Sequence, residues 1–384
     1  MSVVFNPAPR RILVRSVNWL GDAVMTTPAL LRLRQAFPEA HIALLCPEKL
    51  RELWRQHRAL DETLTFAAAE NVFSTAKRLR PGRFDLALVL PNSPRAALEV
   101  FLAGIPRRIG YQRPWRNFFL TQTVPPRRQA VTMRKRSNRE ILAVTAGTAR
   151  ITRPSPLCGK LPAVSVNTAE AHQTNEYLNL VSALGASPEP LPPRLEIAEP
   201  EIHDALEKFG IAAEPRLICG LNPGAEYGPA KRWPIEKFIA AAREIQRRTD
   251  CVWLLFGGKN DAAATAQIQL ALGDRPAGVI NLAGRTSLRE LMALLKLCRV
   301  LLTNDTGPMH VAAALGTPVV VPFGSTSPEL TGPGLPGEPQ HHLLKSGVAC
   351  SPCFLRECPI DFRCMNAITV ELVVKSLLTA LQCP

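Results

Sequence analysis

Apolar runs of four or five residues recur along this chain, each followed by a turn rich in Gly, Pro or Asn and then by apolar positions at helical spacing. In the first half the runs Ile12–Ser16, Ile42–Cys46, Glu62–Phe66 and Leu86–Leu90 predict strands. Helices are predicted over Met25–Ala36, Lys49–Gln56 and Asn71–Leu79, with Pro28 suited to a first turn. The second half repeats the rhythm more cleanly. Strands are predicted at Leu217–Leu221, Val252–Phe256, Val279–Asn281, Val300–Thr303 and Val319–Phe323. Helices Ile235–Arg248, Asp261–Leu272 and Leu288–Lys296 lie between them, and another opens at Pro308 and is stopped by Gly316. Ser287 and Glu290 stand at capping-box spacing. Strands alternating with helices indicate an α/β protein with parallel sheets covered on both faces.

Residues 121–170 lose this rhythm and read as long loops. Helix Ala171–Leu184 follows, and EPLPPRLEIAEP (189–200) reads as a linker. The chain therefore divides into domains 1–188 and 189–384, with the final helix expected to pack back on the first. No apolar stretch reaches the length of a membrane span, and the opening MSVVFNPAPRR has no basic-then-apolar signal pattern. A cytoplasmic protein is expected.

Charge changes the picture because it is lopsided. Residues 1–150 hold 25 Lys and Arg against 10 Asp and Glu, whereas residues 151–384 hold 21 against 22. Ten basic residues and one acid fall within 101–140. Such clustering suggests an anionic partner. A nucleic-acid binder would interleave more aromatics and carry its charge through both halves, so that class is disfavoured.

Several motifs are missing. No G-x-G-x-x-G joins a predicted strand to a predicted helix (Gly332–Gly337 has the spacing without that setting), and there is no P-loop, no H-E-x-x-H and no D-x-D to hold a cation against a diphosphate. Two others are present. In NPGAEYGPAKRWP (222–234) two glycines permit close backbone approach, and Lys231 stands just before a helix. Asp305, Thr306 and Gly307 lie at the N-terminus of the helix opened by Pro308, where unpaired N–H groups and the helix dipole favour an anion. Asp22, after the first strand, reads either as a general base or as a helix N-cap. His310 reads as a packed histidine or a neighbour of phosphate or ribose.

Together GDAVMTTPALLRLRQAFP, NPGAEYGPAKRWP, NLAGRTSLRELMALL and NDTGPMHVAAALGTPVVVPFGSTSPE resemble the ADP-heptose:lipopolysaccharide heptosyltransferases. The type II branch fits best, because of Trp19-Leu20-Gly21-Asp22 and a cysteine-bearing C-terminal segment. The resemblance implies a GT-B fold, two Rossmann-like doubly wound domains facing each other across a cleft. It implies inverting transfer of L-glycero-D-manno-heptose from ADP-heptose to a lipid A–Kdo–heptose core acceptor, at the inner face of the cytoplasmic membrane. Asp22 would be the base and Lys231 would hold the diphosphate. Asp305, Thr306, Gly307 and His310 would line the phosphate site, and Leu282, Ala283 and Gly284 would lie near adenine. Asn222 and Glu226 would be secondary contacts, and the basic residues of 107–139 would meet the acceptor and the membrane surface. No cofactor is implied. Cys350, Cys353, Cys358 and Cys364 have metal-like density but a single C-x-x-C, so free thiols or an occasional disulfide are favoured over structural zinc. The alternative is another GT-B transferase or an epimerase using a different nucleotide sugar.

Overall fold

The structure is a computed structural model that describes residues 8–127, 130, 131, 133–146, 168–211, 217–273 and 278–382. The chain forms two compact units, one of Met1–Ala130 and Gln173–Glu196, the other of Val131–His172 and Ile197–Pro384.

The first unit holds strands β1 (Arg11–Arg15), β2 (His41–Pro47), β3 (Glu62–Phe66), β4 (Leu86–Val89), β5 (Arg107–Tyr111) and β6 (Gln122–Val124). They form one sheet in the order β3-β2-β1-β4-β5-β6. Every pairing in it is parallel. Leu13 faces Ala43 on one side and Ala87 on the other, and all three are fully buried. A strand buried on both faces reads as an unbroken apolar run, which is why these segments were visible in the sequence.

The second unit repeats the plan with β7 (Ile218–Asn222), β8 (Val252–Leu255), β9 (Val279–Asn281), β10 (Val300–Thr303), β11 (Val319–Phe323) and β12 (His342–Lys345). Its order is β12-β11-β10-β7-β8-β9, again parallel throughout. Numbered from its own first strand, each sheet has the order 3-2-1-4-5-6 of a Rossmann fold. The two Rossmann-like units expected from the sequence are both present. In such sheets the chain reverses direction of growth at one point, and ligands bind outside the carboxyl ends of the strands there. That point lies between β1 and β4 in one unit and between β7 and β10 in the other.

Some expectations need correction. The units do not divide at 188/189: residues 131–172 belong with the second unit, and the final passage falls after Glu196. Tertiary bonds decide this, such as Arg136 donating its backbone N–H to Cys353 (3.0 Å) and its Nη1 to Ala349 (2.8 Å). The last helix, Val370–Gln382, packs on its own unit. Val373, Val374, Leu377 and Ala380 share a core there with Phe238, Ile245 and Trp253. Within the segment read as loop, Asn138–Thr145 is a helix closed by a Ser137–Glu140 capping box; residues 147–167 lie outside the described part. The presumed linker runs into helix Glu199–Phe209, whose proline sits in the first turn, where a helix tolerates it. Among the described residues no helix is long and apolar enough to cross a membrane.

Candidate active site

In the first unit, β1 leads directly into helix Leu20–Met25, and a second helix, Thr27–Ala36, follows without a break in handedness because Thr26 stays in the right-handed helical region. The sequence placed Asp22 in a turn. The structure puts it in the first helical turn, with Trp19 at the N-cap position. The N-cap reading of Asp22 is therefore wrong. Asp22 Oδ1 accepts a hydrogen bond from Gln173 Nε2 at 3.2 Å, and the same amide nitrogen donates to the buried Tyr177 hydroxyl at 2.9 Å. Burial, and secondarily the charge of Asp22, raise the Tyr177 phenol, so it remains protonated. Beneath this loop Arg15 bonds Glu99 (Nε to Oε2, 2.8 Å), the Ser16 carbonyl (2.5 Å) and Asn18 Oδ1 (3.2 Å). The half-exposed Trp19 ring has the Lys49 ammonium 5.3 Å from its centroid.

The second unit gathers more groups. Lys231 ends a short 3-10 turn, Pro229–Lys231, and its Nζ lies 2.6 Å from Asp305 Oδ2. The same oxygen accepts from Thr326 Oγ1 at 2.5 Å. Asp305 is almost wholly buried and sits just before helix Gly307–Ala314. Thr306 at its N-cap makes no side-chain cap, Pro308 carries no N–H and the Met309 N–H donates to the Thr306 carbonyl (3.1 Å), so what this helix end contributes is chiefly the positive end of its dipole. The Lys231 loop is held in two ways. Asn304 donates from Nδ2 to the Pro223 carbonyl (2.7 Å) and accepts from the Trp233 N–H at Oδ1 (2.9 Å). Gly228 approaches the Arg356 backbone so closely that a β-carbon would stand 2.5 Å from its carbonyl oxygen, and Ala230 N–H donates to that oxygen at 3.0 Å. Tyr227 lies beneath both cations, 5.1 Å from Lys231 Nζ and 5.2 Å from the Arg356 guanidinium.

The predicted residues differ in what they present. Thr306 and Gly307 are partly exposed at the helix end. His310 is buried one turn in, and burial lowers it to about 4, with His172 and Lys231 lowering and Asp305 raising it. It is neutral at physiological pH, so it adds no positive charge beside Lys231. Asn222 is also turned inward, its Nδ2 donating to Thr303 Oγ1 at 3.1 Å across β7 and β10. Leu282 is fully buried and its N–H is bonded to Leu255 O, which leaves Ala283 and exposed Gly284 as the surface at the end of β9. Glu226 is exposed on the Lys231 loop. Reading the sequence missed Gln173, Asn304 and Thr326. Asn304 and Thr326 had a signal, being polar residues just beyond apolar strands. Cys350, Cys353, Cys358 and Cys364 are free thiols. Burial, then the nearby Cys350, push Cys364 up to about 12. Among the described residues, no group of three or more His, Cys, Asp or Glu is placed to hold a metal.

His310 yields a first prediction. Its value drops on folding from 6.5 to about 4, so the unfolded chain binds the extra proton first as pH falls. Its share of stability is complete above about 6.5 and is lost towards about 4, at most about 3 kcal/mol. Thermal unfolding followed between pH 7 and pH 4.5 should show a shallower decline for His310→Gln than for the unaltered protein.

Comparison with known proteins identifies the family of the chain. Residues 143–362 match the family described as glycosyltransferase family 9 (heptosyltransferase). Lipopolysaccharide heptosyltransferase 2 of Escherichia coli (strain K12) is 31% identical over 84% of this chain and 85% of its own length. Lipooligosaccharide heptosyltransferase 2 of Haemophilus ducreyi is 30% identical over 84% and 86%. The solved structure of E. coli ADP-heptose lps heptosyltransferase II superimposes with a TM-score of 0.74 at 27% identity, covering 97% of this chain and 98% of that one. The chain belongs to glycosyltransferase family 9, the heptosyltransferase family, and is a glycosyltransferase with two Rossmann-like units of the GT-B class.

Proposed function

We propose that this chain is a type II heptosyltransferase, moving heptose from ADP-heptose to the inner core of lipopolysaccharide with inversion at the anomeric carbon. The observation that carries this is the Lys231–Asp305–Thr326 cluster at a switch point, in front of a helix N-terminus, in a member of this family. An ammonium held by a buried carboxylate has further N–H bonds to give, and the helix end adds partial positive charge. Together they suit a nucleoside diphosphate that departs with growing negative charge.

Asp22 takes the proton from the attacking hydroxyl of the acceptor. Gln173 orients that carboxylate through Oδ1. The C1–O bond to the diphosphate breaks as the bond to the acceptor oxygen forms on the opposite face of the sugar. The sequence has no D-x-D, and Lys231 with the helix end takes the part a bound cation would otherwise play, so no cofactor is required. The four C-terminal thiols are structural in this reading. The acceptor is a phosphorylated lipid bearing acidic sugars, and the enzyme works as a peripheral protein at the inner leaflet of the cytoplasmic membrane.

The test is transfer from ADP-heptose to defined Kdo–lipid A acceptors with and without a first heptose. Transfer onto the heptose-bearing acceptor is expected. ADP should bind at least about tenfold more tightly than UDP by calorimetry, a difference of about 1.4 kcal/mol. Equal binding would favour the reading as an enzyme of a different nucleotide sugar.

A further inference from the structure

Not all the basic residues between 101 and 140 face a partner. Arg116 is fully buried, Arg127 pairs with Glu176 at 2.9 Å, and Arg134 pairs with Glu140 at 2.5 Å. Arg108, by contrast, stays partly exposed and is fixed beside the rings by donating to the carbonyls of Phe119 (2.7 Å) and Ile105 (2.5 Å). What the first unit does expose is aromatic. On the loop joining β5 to β6, Trp115 is 89% and Phe118 81% exposed. Phe118 leans on Phe119 and on Phe101, with ring centroids 5.6 and 6.1 Å away.

This loop is built to hold those rings out. Arg116, between them in sequence, is drawn inward and donates Nη1 to the Pro91 carbonyl at 2.7 Å. Gly110 makes room for it, since a β-carbon there would meet Arg116 Nη2 at 2.6 Å. Asn117 Oδ1 accepts the Arg113 N–H at 2.9 Å, closing the turn. Trp115 is thereby kept at φ 63, a backbone region costly for a bulky residue. Cations rim the rings: the Arg108 guanidinium is 5.3 Å from the Phe101 centroid, and Arg80 donates to the neighbouring Leu102 carbonyl at 3.1 Å. No acid occurs between 100 and 139, and Glu99 is buried on Arg15 and Arg95.

Exposed aromatic rings with a cationic rim, in a stretch of sequence without an acid, match the anionic interface of a bilayer, where amphipathic rings settle at headgroup depth and arginines meet lipid phosphates. We propose that the β5–β6 loop is the membrane-docking element, with Trp115 and Phe118 entering the headgroup region of anionic lipid. This rests on the lipid-acceptor reading above and names the part of the chain that meets the membrane.

The test is flotation of the full-length protein with vesicles of phosphatidylethanolamine containing phosphatidylglycerol, and with phosphatidylcholine vesicles. The unaltered protein should float with the anionic vesicles and not the zwitterionic ones. Trp115→Ser/Phe118→Ser should bind at least about tenfold more weakly, and Trp115→Phe/Phe118→Leu should recover most of the loss. Heptose transfer to a deacylated, soluble acceptor should stay within about twofold in both, which shows that they fold. Unchanged flotation of the serine variant overturns the proposal. So does failure of the unaltered protein to float while it forms concentration-dependent dimers that the serine variant loses, because the rings would then be a contact between copies. Absent transfer to the soluble acceptor by the unaltered protein, with vesicle binding intact, would instead fault the functional reading.

Discussion

Asp22→Asn is expected to lower kcat by about a thousandfold, roughly 4 kcal/mol in the barrier, with little change in KM for ADP-heptose. The substitution keeps the shape of the side chain. Its amide oxygen can still accept from Gln173 Nε2, which stands 3.2 Å from Asp22 Oδ1, so the loop should keep its form. What is lost is the capacity to take a proton. Single-turnover rates with a heptose-bearing acceptor measure this directly, because product release does not enter them. The acidic limb of the pH–rate profile should disappear with the carboxylate. Gln173→Ala provides the graded companion. A donor to a carboxylate favours its charged form, so losing that donor should move the acidic limb to higher pH and cost about tenfold in kcat. A merely structural Gln173 would lower stability without moving the limb. Asp22→Asn activity within about threefold of the unaltered enzyme would overturn the general-base role, though not the family.

Asp22 and Lys231 were legible in the sequence because each follows a buried apolar strand, and the end of a parallel strand is where open α/β sheets place chemistry. Their partners were not. Gln173 comes from 151 residues beyond Asp22, so no local pattern announces that contact; Thr326 was visible as a polar residue beyond an apolar strand, but its bond to Asp305, 21 residues earlier, was not. The same limit applies to the fold. Buried strands such as β4 and β10 were visible as unbroken apolar runs, whereas β5, Arg-Arg-Ile-Gly-Tyr, opens with two arginines and has no such signature. The change of unit at 130/131 depends on contacts such as Arg136 with Ala349, 213 residues away. Charge was legible only as its distribution along the chain. Which arginines are buried, paired or exposed follows from tertiary packing, and that sorting moved the candidate membrane contact from the cations to the aromatic rings among them.

Lys231→Ala should reduce kcat by about a hundred- to a thousandfold and change acceptor KM far less. The ammonium acts on charge that grows as the diphosphate leaves, so its removal falls on the transition state more than on the ground state. Stability complicates the single variant. Lys231 lies 2.6 Å from the buried Asp305 carboxylate, and deleting the cation leaves that charge with Thr326 as its remaining side-chain partner. Uncompensated charges of this kind cost about 3–5 kcal/mol, enough to lower the protein's abundance and counterfeit a loss of catalysis. Lys231→Ala/Asp305→Asn separates the two effects. The asparagine carries no charge and can still accept from Thr326, so melting should return close to that of the unaltered protein. The rate should not return. A double variant that regained both stability and turnover would show that Lys231 serves the fold alone, and the leaving diphosphate would then need a different cation.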